Sequence, residues 1–170
     1  GAPFVGSMVF NLEPTVMGVL FGLPAFGSFF GNFVTAKFSQ HLGIDRMILF
    51  GTLSQIFGMA VSLIISLLGF GNALTFFGFC IFIGFGNGLA LANSSIGMLS
   101  IRPAVAGTAS GIGGAIQIGG GAALAALAGF VLTVSETTYP LQLIMLSSAL
   151  LAFLSIVYVI RRARFVDSSD

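Results

Sequence analysis

Long apolar runs separated by short polar ones make up this chain. The apolar runs cover 1–12, 15–36, 47–70, 73–98, 107–134 and 140–160, and polar residues gather at Glu13, 37–46, 71–72, 100–106 and 135–139. A helix rises about 1.5 Å per residue and a bilayer core is about 30 Å thick, so every run but the first is long enough to cross. The runs are continuous rather than alternating, which excludes a transmembrane β-barrel. The pattern predicts an all-α integral membrane protein, a six-helix bundle over 1–164 with its first helix truncated, followed by a tail at 165–170. The opening stretch GAPFVGSMVFNL has no basic region and no cleavage motif, so it reads as the end of a span rather than a signal peptide. The chain is therefore expected to be a fragment.

Within the runs, small residues recur every four positions. Gly27 and Gly31 form one such pair, Ser54, Gly58, Ser62 and Ser66 a second line, and Gly84, Gly88 and Ala92 a third. The run 107–134 holds two stripes, one through Gly113, Gln117, Gly121, Ala125 and Gly129 and another through Gly107, Gly111, Ala115 and Gly119. In water each Gly would weaken a helix by about 1 kcal/mol relative to Ala. In lipid an unpaired backbone group costs several kcal/mol, which enforces the helix regardless. A missing side chain then lets a neighbouring backbone approach closely. The prediction is a helix buried among others and packed through Gly107, Gly111, Gly113, Gly121 and Gly129. Pro24, inside the second run, predicts a kink.

Composition agrees with this reading: 56% of the 170 residues are hydrophobic and 6% charged, where soluble domains are near a quarter charged. Charge placement says more than charge number. If the spans alternate in direction, Lys37, Arg46, Arg102, Arg161, Arg162 and Arg164 share one face, and they are all six basic residues of the chain. Glu13 and Glu136 fall on the other. Positive charge marks the cytoplasmic side, so 37–46, 100–106 and the C-terminus are expected there.

Little in the sequence can do covalent chemistry. No predicted span holds Asp, Glu, Lys, Arg or His, and a charge at a helix centre costs at least about 2.5–3.5 kcal/mol and usually marks an ion path. A titratable coupling group must therefore lie outside these runs. The glycine-rich segments at 84–88 and 111–114 lie inside apolar helices, not after strands, and read as packing rather than phosphate loops. Thr108 to Gly111 lacks a general base, since the one histidine, His41, is in a polar segment. Cys80 is a single thiol in an apolar run, read as a packing residue. No enzyme, metal or cofactor is expected, and no nucleic-acid partner.

The intramembrane amides are the candidate binding groups. Asn32, Asn87, Asn93 and Gln117, with Ser94 sharing a face with Asn87, could line a cavity and orient a mostly apolar substrate. Equally, they could make interhelical hydrogen bonds worth roughly 0.6 kcal/mol each. Gln117 is the leading cavity residue because glycines beside it leave room. Asp45 and Arg46 could form part of a cytoplasmic gate, or end helices with favourable charge.

Several segments carry a resemblance. They are Pro3-Phe4-Val5, Met17-Gly18, Leu20-Phe21, Gly86-Asn87-Gly88-Leu89-Ala90 with Ala92-Asn93, and above all Ala106-Gly107-Thr108-Ala109-Ser110 with Gln117. Together with six helices and short loops, they resemble the C-terminal half of a major facilitator superfamily transporter, nearest to the Bcr/CflA drug-resistance branch. Ala92 stands where that family commonly has proline, and Gly43-Ile44-Asp45-Arg46 has fewer basic residues than the family's cytoplasmic loop motif. The resemblance implies alternating access by two six-helix halves, with proton-coupled efflux of small apolar or amphipathic molecules from a bacterial inner membrane. It implies a missing N-terminal half of the same protein that carries the proton-binding acid. It also implies that helices 1–12, 15–36, 73–98 and 107–134 surround the cavity, while 47–70 and 140–160 are peripheral. A metabolite facilitator and a non-transporting scaffold subunit remain as alternatives.

Overall fold

The computed structural model describes residues 2–101, 106–134 and 137–167. Among these the architecture is all α. A short N-terminal segment, α1 (Ala2–Phe4) continued by a π-turn at Val5–Val9, precedes five long helices. These are α2 (Pro14–Leu42), α3 (Ile44–Ile65, extended by a π-turn over Ser66–Phe70), α4 (Ala73–Ile101), α5 (Ala106–Val134) and α6 (Tyr139–Asp167). All five are long and apolar enough to cross a membrane, the architecture of a multi-pass membrane protein. The segment at Ala2–Val9, three helical residues and a five-residue π-turn, does not by itself reach across a bilayer.

Helix ends differ from the sequence expectation at the basic face. Residues 37–46 are not a loop: α2 runs on to Leu42 and α3 begins at Ile44, so Gly43 alone makes the turn. Gly43 has φ of 83°, the left-handed region open to glycine, and its N–H reaches the Ser39 carbonyl at 3.0 Å. Polar residues can extend a helix beyond the bilayer as readily as end it, so hydropathy misplaced this boundary. In the same way α6 continues through Arg161 and Arg162 to Asp167, where a tail was expected from 165. At the opposite face the 71–72 turn is as predicted. Asn72 caps α4, its Oδ1 accepting from Thr75 N–H at 2.8 Å and from Thr75 Oγ1 at 2.7 Å. Arg102 and Glu136, which the topology argument uses, lie outside the described residues.

Helix α4 is the centre of the bundle, with α2 on one side and α3 on the other. The contacts are backbone to backbone. A Cβ built on Gly27 or Gly31 would collide with the carbonyl oxygens of Ile81 and Phe85 respectively, and one on Gly84 with the carbonyl of Pro24. Gly51, Gly58 and Gly86 do the same between α3 and α4, Gly58 bringing its backbone against the Phe82 side chain. Pro24 belongs to this seam. Ser28 Oγ stands 3.1 Å from both the Pro24 and the Gly84 carbonyl oxygens and can donate to either. Helix α6 packs on α3, where the fully buried Gln142 Nε2 donates to Ser62 Oγ at 2.9 Å and Ser66 Oγ at 3.0 Å. Tyr139 adds a bond from its hydroxyl to the Ser66 carbonyl at 3.1 Å.

Most of the glycines of 107–134 meet no neighbour within the described part of this chain. Within this chain α5 is the least packed long helix: among residues 106–132, whose burial is described, Ala128 and Leu132 near its C-terminus are the buried ones. A Cβ added at Gly107, Gly111, Gly121 or Gly129 would meet nothing within 4 Å. Gly113 alone has a neighbour, the Met98 sulfur at 2.6 Å from the added Cβ, a flexible tip that can move aside. The close-packing stripes in use are those of α2, α3 and α4. The apolar core lies toward the Asn72 end of the bundle, where Val5, Phe76, Phe77, Cys80, Leu132 and Leu141 cluster.

Candidate functional site: a crevice with an amide waist

Beside the α3–α6 contact a crevice opens, lined by α3, α4 and α6 and at one end by the C-terminal part of α5. It consists of two adjoining cavities of about 380 and 670 Å³ that share two residues, Gln55 and Asn87. The smaller, toward the core, is lined by Met59, Ile83, Leu124, Ala128, Leu141 and Met145 among others. The larger, toward the basic end, is lined by Thr52, Ser94, Met98, Ile156 and Val159, with Asp45 at its rim. At the waist Gln55 Nε2 donates to Asn87 Oδ1 at 2.9 Å.

This waist forms because α3 and α4 touch through Gly51 and Gly86 just beside it. The Gln55 side chain lies across Gly86, where an added Cβ would stand 2.5 Å from its Cγ, and so reaches the exposed Asn87 at the crevice. Their mutual bond uses one donor and one acceptor. Among the described residues the Asn87 amide N–H₂ and the Gln55 carbonyl oxygen have no further partner, nor does the Ser94 hydroxyl. The other hydroxyls are satisfied by their own helices: Thr52 bonds the Leu49 carbonyl at 3.0 Å and Ser155 the Leu151 carbonyl at 2.8 Å. The crevice thus offers an apolar wall, one spare amide donor, one spare carbonyl acceptor and one free hydroxyl, which suits a mostly apolar molecule with one or two polar groups. Among the described residues no three His, Cys, Asp or Glu side chains converge where they could hold a metal ion.

The residues singled out from sequence part company here. Asn87 and Ser94 meet in the larger cavity. Asn93 does not join them. It is fully buried, its Nδ2 donating to Leu89 O at 2.6 Å and Thr35 Oγ1 at 3.4 Å, while its Oδ1 accepts from Ser39 Oγ. It joins α4 to α2 and has no polar atom left for a ligand. Asn32 and Gln117 are exposed on α2 and α5 and line neither part of the crevice. Asp45 and Arg46 sit in the first turn of α3.

Sequence reasoning passed over Gln55 and Gln142. Each is a lone amide in a run set aside as peripheral, although an amide in lipid needs a partner wherever it lies. That signal was present at both positions. Gln142, placed at the end of its span, is in fact the most thoroughly enclosed amide besides Asn93.

Comparison with family models, with curated proteins and with solved structures yields no match for this chain.

Proposed function

We propose that this chain is the C-terminal half of a secondary transporter of the major facilitator type, which exports small apolar or amphipathic molecules across a bacterial inner membrane by alternating access, in exchange for protons. The observation that carries the reading is the crevice with its Gln55–Asn87 waist, set in a bundle whose apolar runs, 15–36, 47–70, 73–98, 107–134 and 140–160, hold no charge. Such a bundle can bind and release an apolar solute without first neutralising a buried ion. Proton coupling then rests on an acid in the other half, each proton gaining about 2.3 kcal/mol per 100 mV. Two further features support it. Helix α5 leaves its glycine faces and Gln117 uncovered, and α2 leaves Asn32 so, as surfaces meeting a second bundle would be. The basic ends gather on one side: Arg46 and Arg161 line one groove, and Ile44 lies against Gly97 near the end of α4. By the positive-inside rule that side is cytoplasmic.

Dye export from cells carrying the complete protein tests the proposal. Asn87→Leu and Gln55→Leu are expected to change export by different factors for different dyes, with expression unchanged. Equal loss for every dye with falling expression identifies a scaffold, while downhill flux insensitive to a proton uncoupler identifies a facilitator. A second reading of the crevice has its own observation, because Ala2 lines the smaller cavity. A helix continuing upstream of Ala2 would lie along it and take the spare bonds of Gln55 and Asn87. Cysteine pairs between that upstream segment and Ala125 or Ala149 would then crosslink whether or not substrate is present.

A further inference from the structure

A second groove lies on the membrane-facing side of the basic end, between the start of α3 and the end of α6, with a volume of about 730 Å³. Its composition is two-zoned. Arg46 and Arg161 supply guanidinium groups, and Leu49, Phe50, Val157 and Ile160 supply an apolar wall. The spacing explains the zoning. On α3 residues 46, 49 and 50 share one face, and on α6 residues 157, 160 and 161 do. Each helix therefore presents an arginine at the membrane surface with an apolar patch one turn deeper. Among the described residues neither arginine has an ion-pair or hydrogen-bond partner, although Asp45 lines the same groove. Phe50 is half exposed, so the wall opens to where acyl chains would be.

We infer that this groove is a binding site for an anionic phospholipid, whose phosphodiester lies between Arg46 and Arg161 and whose acyl chain follows Leu49, Phe50, Val157 and Ile160. Guanidinium groups match a phosphate oxygen pair with parallel N–H donors, and both are unoccupied here. Free inorganic phosphate would gain from the arginines alone, with Asp45 in the same groove opposing part of that attraction. A lipid adds burial of its chain against the apolar wall. Arg162 makes a natural control. Its Nη1 reaches the Tyr158 hydroxyl at 3.3 Å, and it lines no part of the groove. The inference needs the chain to lie in a bilayer but does not depend on transport, so loss of the efflux reading leaves it standing.

Native mass spectrometry of the complete chain in detergent, with phosphatidylglycerol, phosphatidylcholine or inorganic phosphate added at equal concentration, tests it. The unaltered chain is expected to retain phosphatidylglycerol over phosphatidylcholine and to retain no inorganic phosphate. R46Q/R161Q is expected to weaken phosphatidylglycerol binding about thirtyfold, from about 1 kcal/mol per arginine, while R162Q leaves it unchanged. V157F, which fills the apolar end without touching charge, is expected to reduce retention as well. Equal retention of the two lipids by the unaltered chain overturns the site without any variant having to fold. So does an equal loss in R162Q, which would reduce the effect to general surface charge. Retention of inorganic phosphate that V157F leaves intact would make it a phosphate site and not a lipid site.

Discussion

Gly88→Ala adds one methyl group inside the seam where α2 and α4 pack backbone to backbone. The new Cβ would stand 2.6 Å from the Ser28 carbonyl oxygen, 2.7 Å from the Asn32 nitrogen and 2.8 Å from the Gly31 Cα. All three are backbone atoms, so no rotamer change relieves the clash. Ordinary contact needs about 3.5 Å, and the two helices must part by roughly 0.7–0.9 Å at this level. A gap of that size forfeits about a quarter to a half of the dispersion attraction between the atoms it separates. Overpacking of this kind typically costs about 1–3 kcal/mol. The Thr35 hydroxyl bond to the Gly88 carbonyl, 3.1 Å long, weakens too and adds roughly 0.6 kcal/mol. Against this stands at most about 1 kcal/mol of improved helix propensity. The expected net loss is about 1–3 kcal/mol, read as a lower midpoint when helix content is followed during SDS titration of the detergent-solubilised chain. Gly120→Ala on α5, where an added Cβ meets nothing within 4 Å, is the matched control and should be neutral or slightly stabilising. If the two substitutions shift the midpoint equally, the α2–α4 seam is not holding the bundle and the packing argument fails.

Asn93→Leu removes bonds to Thr35, Ser39 and Leu89 at a fully buried position. It should cost about 1–2 kcal/mol in the same titration and leave dye selectivity unaltered, since the side chain reaches no cavity. Gln142→Leu should be much milder. It gives up two bonds to Ser62 and Ser66 but also removes the buried Oε1, which has no partner among the described residues, so the midpoint should move by under about 1 kcal/mol. A cost as large as that of Asn93→Leu would mean the Gln142 carbonyl is satisfied after all. Cysteines placed at Thr137 and Arg162 should react with a membrane-impermeant maleimide from opposite sides of the bilayer. Cys80, only 4% exposed, should stay unlabelled throughout. Labelling of both introduced cysteines from one side contradicts the helix count.

Lipid explains how much could be read from residue order alone. Where no water is available, each backbone N–H and C=O must be paired within its own segment. An apolar run of sufficient length is then a helix whatever its propensity, as α5 is despite its glycines. The same logic made the small-residue lines at Gly27–Gly31, Gly84–Gly88 and Ser54–Gly58–Ser62–Ser66 visible as packing faces, and the structure uses all of them. Period four identifies a face. It does not name the neighbour. The richest glycine helix is left uncovered within this chain, while α4 takes α2 and α3 on two sides, because contact needs complementary relief on another helix and that is a property of pairs. The amides follow the same division. Their residue type announces a need for partners, but Asn93 turned inward to Thr35 and Asn87 outward to Gln55. That choice was made by the glycines beside them and by where two backbones happen to meet, which no single helix encodes.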